Sequence, residues 1–564
     1  VLVTLVRSSG AIPWWQAAGF SFVCLLVWLA AGWFGVLQRG RGTGTAPTLA
    51  ALLWWLVGGV VLVAAGLVCL HGSARWGQAL VAGAMAGVSW AIVLPLGIAL
   101  AVALCGWQFT TTLLSGLHAN FWGLCSGRTQ QPGDSITGLT DWLTGYFNDI
   151  AGLKAEARPL TLGDLWEGRQ LSDEVALSMK DDKAPLDRAI NFEVMTTAVS
   201  QQMCYAIPFR VGSGAFYFDE KEWARLFPAS VIAWLVKASD AEKAASDAER
   251  KRSNPEWKGS KEVTTEEGTL LRRLPSNRNL PVVLLVRMSL SFPILLSAVP
   301  MYAVDHSSDK TKGHAKRVWF SDGGISSNMP LHFFDAPLPG HPTFAVNLKA
   351  EHPDYPIVKD APACQEGNGR VYLAQDNNAG RQLYWEPPAD GSPQGLFSFL
   401  ASIVKTMQNW RDEIQFPYPG YRDRIVQISQ RDDEGGLNLD MPDSHIKALG
   451  EAGECAAEKI TARFKPDAAA GPAAGGWENH KRIRLRTFLA LAEELCRHPS
   501  LRDSQWDAVL ANGSSLRYNA KEQALARKIL DDLRAIGTAA QDSGVSLAEK
   551  APKPRASLRI SPRI

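Results

Sequence analysis

The first 127 residues contain no acidic side chain and no lysine, which constrains the fold more than any other feature of the chain. Their only charged residues are Arg7, Arg39, Arg41 and Arg75, yet they hold ten of the twenty tryptophans. The other 437 residues carry 54 basic and 56 acidic side chains. Composition therefore excludes a single soluble globule, a fibre and a disordered chain. It predicts an apolar N-terminal block joined to a part long enough to bury a large core.

Three uncharged stretches of this block, Phe20–Leu37, Leu49–Leu70 and Ala79–Cys105, are long enough to cross a hydrocarbon layer of about 30 Å. Tryptophans lie near their ends, where an indole ring settles at the headgroup level. Pro95 interrupts the third stretch, so we predict three spans, or four if that stretch is a helical pair. The alternative, buried helices of a soluble domain, is disfavoured by the absence of acidic residues. Residues 1–127 are therefore predicted to be a transmembrane region.

The net charge and the cysteine pattern limit the kinds of partner and the cellular compartment that the sequence suggests. A net charge of +2 is too small to argue for binding to nucleic acid. The eight cysteines form no C-x-x-C pair, so neither a zinc site nor a disulfide framework is indicated. This pattern favours a reducing, cytoplasmic setting for the part that follows the apolar block.

The remaining chain alternates strand-like and helix-like segments, which predicts an α/β layer architecture over residues 134–465. Within it, residues 238–268 are dense in charge and are predicted to be a solvated insertion. Residues 466–477 are rich in Ala, Gly and Pro and are typical of a linker. We predict a helical segment at 478–540 and a disordered basic tail at 545–564. The predicted strands include Val318–Phe320, Thr343–Leu348 and Arg424–Ile428.

Asp322-Gly323-Gly324 is the sharpest local signal of chemistry. A carboxylate directly after a buried strand is presented at the edge of the sheet, where α/β proteins place their sites. The two glycines permit positive φ and a close approach of another group to the backbone. An ordinary turn would also explain these three residues.

A wider run, from Ser321 to Leu331, resembles the C-terminal catalytic half of patatin-like phospholipases, in a bacterial, membrane-associated branch. The run carries Asp-Gly-Gly followed by Asn328 and Pro330. Met288-Ser-Leu-Ser-Phe-Pro293 stands where the family has a helix of the type Ala-Ser-x-Ala-x-Pro. The resemblance covers roughly residues 139–465. It also draws on four flanking stretches: Thr161–Trp166, Pro208–Pro228, Thr406–Trp410 and Pro419–Arg424.

The resemblance implies a partial three-layer α/β/α domain and a serine–aspartate dyad that hydrolyses lipid esters. Asp322 matches the general base, with Gly323, Gly324, Asn328 and Pro330 as supporting motif residues. The nucleophile is unknown, because the chain has neither a Gly-x-Ser-x-Gly elbow nor a Gly-Gly-Gly-x-Arg oxyanion loop. Both motifs are expected to precede Val1 in a longer polypeptide, so the isolated chain should be inactive.

The resulting expectation is an acyl hydrolase anchored in a bacterial plasma membrane, with its soluble domain in the cytoplasm. Membrane lipids would be its partners, and no metal or organic cofactor is implied. The alternative is a non-catalytic membrane scaffold or regulator built on a degenerate or truncated patatin-like domain. A transporter is a weaker alternative, because the apolar stretches lack ionisable residues that would mark a substrate path.

Other polar residues have simpler interpretations. Ser326 and Ser327 follow Asp322 closely but lack a strand-to-helix elbow, so capping or turn roles are expected. Tyr421-Arg-Asp-Arg424 is expected to form surface ion pairs. The four histidines of this region lack the spacing of a metal site and are expected to be solvated or structural: His306, His314, His332 and His341.

Overall fold

The computed structural model describes residues 107–129, 136–153, 158–180, 184–210, 212–305, 314–374, 393–435, 438, 440–465, 476–511 and 517–557. The chain divides into two units, Val1–Ala119 and Asn120–Ile564. In the first unit, the described residues 107–119 are helical. All other elements below belong to the second unit.

The strands of the second unit are short. They are β1 (Gly123–Cys125), β2 (Val194–Ala198), β3 (Met203–Ile207), β4 (Phe216–Phe218), β5 (Val263–Thr264), β6 (Leu270–Arg273), β7 (Ile294–Leu296), β8 (Val299–Val304), β9 (Ala315–Ser321), β10 (Ala345–Ala350), β11 (Val371–Tyr372) and β12 (Ile425–Gln430).

The helices vary from one turn to seven. They are α1 (Leu139–Ile150), α2 (Leu162–Glu167), α3 (Asp173–Ser178), α4 (Glu220–Trp223), α5 (Ala229–Ser253), α6 (Val282–Ser289), α7 (Pro393–Glu413), α8 (Asp443–Phe464), α9 (Gly476–Arg497), α10 (Gln505–Ala511) and α11 (Ala520–Asp542).

Seven strands form the main sheet in the order β3-β2-β9-β8-β4-β6-β5. Every neighbouring pair in it is antiparallel. Strand β9 lies between β2 and β8, and the predicted strand Val318–Phe320 is confirmed as part of it. The alternation of strands and helices in the sequence does not distinguish hairpins from crossovers. The fold is therefore mixed α/β, and the larger sheet lacks the parallel order of a doubly wound domain.

The core of this part forms between the sheet and α6. Phe320 on β9, Val299 on β8 and Leu285 on α6 are fully buried in one cluster. Helix α6 begins directly after Pro281, and it ends at Ser289, four residues before Pro293. Strand β9 ends at Ser321, directly before Asp322.

A second, three-stranded sheet has the order β10-β12-β11. Strand β10 is parallel to β12, and β11 is antiparallel to it. Helix α8 covers this sheet through Ala452 and Ala456, which pack against Val426 and Ile428. Both predicted strands, Thr343–Leu348 and Arg424–Ile428, are confirmed with shifts of about two residues at their ends.

Cys364 and Cys455 form a disulfide with an S–S distance of 2.01 Å. The bond ties the loop before β11 to helix α8. No disulfide was predicted, since the eight cysteines show no spacing motif and these two are 91 residues apart. Only the tertiary fold brings them together.

The predicted N-terminal bundle of transmembrane helices is corrected, and with it the predicted location as an integral membrane protein. Among the described residues, no helix is both long enough and apolar enough to cross a membrane. The longest, α5, has 25 residues but carries many charged side chains in its second half. The three predicted spans themselves, Phe20–Leu37, Leu49–Leu70 and Ala79–Cys105, lie outside the described residues.

The other predicted segments contain the following elements. The charged insertion 238–268 holds the second half of α5 and strand β5 at the sheet edge. The helical segment 478–540 holds most of α9, α10 and most of α11, and α9 packs against α11. Within the predicted tail, Ala548 N–H donates to the Glu493 carboxylate of α9 at 2.9 Å. The linker 466–477 lies almost wholly outside the described residues.

Candidate functional site

Asp322 is the first residue after β9, and the end of that strand fixes its backbone. Its N–H donates to the carbonyl of Ser291 at 3.0 Å, in the turn that follows α6. The Ser321 hydroxyl donates to the same carbonyl at 2.8 Å. Asp322 also caps a short 3₁₀ helix, Gly323–Ile325. The carboxyl is therefore held at the junction of the sheet, α6 and the loop that follows.

The Asp322 carboxylate has one oxygen engaged. Oδ1 accepts a hydrogen bond from Gly324 N–H at 2.6 Å, and Oδ2 accepts none from any described residue. The residue is half-buried. Burial raises the pKa of the Asp322 carboxyl, because desolvation disfavours its charged form, while the Gly324 N–H lowers it in part. The resulting group is a stronger base than a solvated aspartate.

The two glycines are explained by close backbone contacts. A Cβ at Gly323 would lie 2.2 Å from the carbonyl oxygen of Met195 on β2. A Cβ at Gly324 would lie 2.4 Å from the side-chain oxygen of Asn328. Neither glycine has a positive φ. The sequence suggested two reasons for glycine at these positions. The close approach of another group to the backbone is confirmed, and a positive φ is not.

Asp412, near the end of α7, holds the loop after Asp322. Its carboxylate accepts the Ser327 hydroxyl at 2.5 Å, Asn328 N–H at 2.6 Å and Met329 N–H at 3.1 Å. Asp412 is buried, with 6% of its surface exposed. A carboxylate that accepts three short hydrogen bonds away from water forms a rigid anchor.

Gln408, one turn before Asp412 on the same face of α7, reaches the turn itself. Its side-chain amide donates to the carbonyl of Gly324 at 2.9 Å. The two residues are four positions apart and therefore point the same way from the helix. Gln408 lies within Thr406–Trp410, one of the stretches that carry the family resemblance, but no role was predicted for Gln408 or Asp412. The only signal in the sequence was that these two polar residues lie four positions apart, on one face of a helix.

The structure brings the predicted motif residues together around this turn. Asn328 packs its side-chain oxygen against Gly324, and Pro330 precedes a second 3₁₀ helix, Leu331–Phe333. Ser326 shares a 2.9 Å hydrogen bond with the Thr197 hydroxyl of β2. Ser327 bonds Asp412. A local capping or turn role was expected for both serines. The Ser327 hydroxyl does accept Met329 N–H at 3.3 Å, but both hydroxyls also bond distant residues, Thr197 and Asp412.

The expected surface ion pairs of Tyr421–Arg424 are only partly correct. Asp423 and Arg424 are buried, with 2% and 1% of their surfaces exposed. Arg424 forms an ion pair with Asp335, which also accepts from the Tyr421 hydroxyl at 2.8 Å. This buried cluster joins β12 to the loop after Pro330. The sequence could not show it, because Asp335 is 89 residues from Arg424.

His332 lies beside the anchored loop. Desolvation by the atoms around the ring lowers the pKa of His332 to about 4, and the positive charge of Arg411 lowers it further, although part of the residue stays exposed to solvent. His314 and His341 lie on exposed loop or strand ends, and His306 lies outside the described residues. Over the ranges that the structure describes, His, Cys, Asp and Glu side chains form no cluster that could hold a metal ion.

Fold and site together define a mixed α/β protein with a half-buried carboxyl at the end of a central strand. No family model and no solved structure matches the chain. The chain is 32% identical to a Rhizobium meliloti (strain 1021) protein named RpoH suppressor, over 97% of its own length and 84% of that protein. It therefore belongs to the same family as that protein.

Proposed function

We propose that Asp322 is the general base of a serine–aspartate dyad that hydrolyses carboxylic esters of lipids. The chain would contribute the base and its supporting loop to a patatin-like domain. The serine would come from a Gly-x-Ser-x-Gly segment, which the 564 residues do not contain. The observation that carries the proposal is the Asp322 carboxyl itself, half-buried, with one oxygen fixed by Gly324 and the other without a described partner.

A serine hydroxyl becomes nucleophilic only when a base removes its proton during attack. Oδ2 of Asp322 is the acceptor that such a hydroxyl would use. A carboxylate whose pKa is raised by burial takes that proton more readily than a solvated one. The hydrogen bond from Gly324 sets the direction of the carboxylate, so that Oδ2 faces a fixed position.

The surrounding structure supports a precise orientation. The backbone on the N-terminal side of Asp322 is held by Ser291, and the loop on its C-terminal side is held by Gln408 and Asp412. Three independent elements thus position one carboxyl: the turn after α6, strand β9 and helix α7. A catalytic group gains from such support, because small displacements reduce the rate strongly.

The test is ester hydrolysis by a polypeptide that joins these residues to an upstream segment with Gly-x-Ser-x-Gly, read from the same gene. We expect it to hydrolyse p-nitrophenyl butyrate and phosphatidylcholine, and we expect the 564-residue chain alone to be inactive. Asp322→Asn should lower kcat by about 10² to 10⁴, the range of general-base catalysis.

Ser326→Ala is the matched control. Ser326 is four residues from Asp322 but bonds Thr197, so its loss should leave kcat within about twofold. An inactive extended polypeptide would instead favour a non-catalytic regulator built on the same domain. Activity that survives Asp322→Asn would remove the dyad.

A further inference from the structure

Most of helix α7 exposes a broad apolar face. Phe397 and Met407 have 71% and 70% of their surfaces exposed, and every residue from 396 to 407 is exposed. From Gln408 onward the helix is partly buried against the loop after Asp322, and Gly395 is buried near its start. The first three turns therefore leave large apolar side chains in solvent, which is costly for an isolated chain.

The exposed apolar residues lie on one side of the helix. At 100° per residue they fall within an arc of about 160°. The set is Leu396, Phe397, Phe399, Leu400, Ile403, Val404, Met407 and Trp410. The opposite side carries Ser398, Ala401, Ser402 and Lys405. This is the pattern of a helix that lies in the plane of an interface.

The charges of α7 match a lipid surface. Its sequence has no acidic residue between Pro393 and Arg411, and its charged residues before Asp412 are Lys405 and Arg411. Lys405 lies on the polar side of the helix, where its positive charge is attracted to anionic headgroups, and no acidic residue before Asp412 would be repelled by lipid phosphates. Phe397, Phe399 and Trp410 supply the aromatic rings that such helices insert at the headgroup level.

We infer that the apolar face of α7 docks on a lipid surface and lies half-embedded in it without crossing. The inference rests on the proposed function, because it gives the ester hydrolase a means of reaching aggregated substrate. The same helix carries Gln408 and Asp412, which hold the turn of Asp322. Docking would therefore bring the catalytic base to the lipid through one rigid element.

Site-specific photocrosslinking tests this inference without hydrolysis. Met407→benzoylphenylalanine places the probe on the apolar face, and Ser402→benzoylphenylalanine places it on the opposite, exposed face of the same helix. Each full-length variant is irradiated with vesicles of phosphatidylcholine and phosphatidylglycerol that contain a tritiated lipid. We expect several-fold more lipid adduct from position 407 than from position 402.

A second variant tests the role of the face itself. Phe397→Asp should reduce the adduct at position 407 several-fold, whereas Leu186→Asp, at a side chain that is 96% exposed elsewhere, should not. Equal adducts at 402 and 407, or a 407 adduct to a second copy of the chain, would overturn the inference. The readout is a lipid adduct and does not depend on ester hydrolysis. Lipid docking can therefore be confirmed when hydrolysis is absent, and hydrolysis can be observed when the lipid adduct is absent.

Discussion

The Ser327 hydroxyl donates a 2.5 Å hydrogen bond to Asp412, although the two residues are 85 positions apart in the chain. The bond joins the loop after the central strand β9 to the last turn of α7. With the backbone bonds to Asn328 and Met329, it makes Asp412 the main link between these elements. The position of Asp322 thus depends on a helix that the sequence places far away.

Asp412→Ala should destabilise the protein by about 3 kcal/mol, because it leaves the Ser327 hydroxyl and two N–H groups without their acceptor. Urea unfolding followed by circular dichroism measures the loss. The control is Asp432→Ala, on an exposed turn, which should stay within about 0.5 kcal/mol of the wild type. Equal effects of the two substitutions would show that Asp412 anchors nothing.

Gly323→Ala should destabilise the fold by about 1–3 kcal/mol, since its Cβ would lie 2.2 Å from the backbone carbonyl of Met195. A strand backbone cannot yield as a flexible side chain can. Gly145→Ala is the matched control, because it lies in α1 with no atom within 4 Å of the added Cβ. That substitution should be neutral or stabilising by up to about 1 kcal/mol. Thermal unfolding of both variants decides between these outcomes.

Cys364→Ser should lower stability by about 2–4 kcal/mol under oxidising conditions, because it removes a cross-link between residues 91 positions apart. Dithiothreitol should lower the melting temperature of the wild type to that of the variant and leave the variant unchanged. Cys204→Ser, at a free thiol, controls for the loss of a sulfur atom. Peptide mapping without reduction that finds Cys364 and Cys455 as thiols would contradict the bond.

Asp164 gives a pH-dependent prediction. Burial raises the pKa of its carboxyl, but hydrogen bonds from Arg158, Leu171 N–H and Thr161 outweigh burial and leave the pKa lowered. A carboxyl with a lowered folded-state pKa stabilises the fold above its unfolded pKa of about 3.9, and this contribution is lost as pH falls through the folded value.

Asp164→Asn should therefore lose stability most at pH 5–7, and its difference from the wild type should shrink below about pH 4. Urea unfolding at several pH values measures the trend. Asp187→Asn, at an exposed position, should show a much smaller difference at every pH. A difference for Asp164→Asn that grows in acid would reverse the assigned sign.

The sequence predicted those features that depend on neighbours in the chain. Val318–Phe320 is apolar and precedes Asp-Gly-Gly, so the strand and its end were predictable. The antiparallel order of the main sheet was not predictable, because the same alternation of elements fits parallel and antiparallel pairings.

The contacts that complete the site are long-range, and for that reason the sequence analysis missed them. Gln408 and Asp412 are 84 positions from the residues that they hold. The spacing of these two residues on one helix face could be read from the sequence, but the loop that they hold could not. The disulfide and the buried Arg424–Asp335 pair were missed for the same reason. The sequence therefore predicted the carboxyl of Asp322 at the end of a strand, but it did not predict the tertiary contacts that hold this residue in place.

Covalent labelling with a fluorophosphonate tests the central claim most directly. The reagent reacts with a serine whose proton is removed by a neighbouring base. In the polypeptide that includes an upstream Gly-x-Ser-x-Gly segment, we predict labelling of that serine and a rate about 10² or more lower in Asp322→Asn, with its unfolding curve retained. Labelling of Asp322→Asn at the wild-type rate would show that Asp322 is not the base.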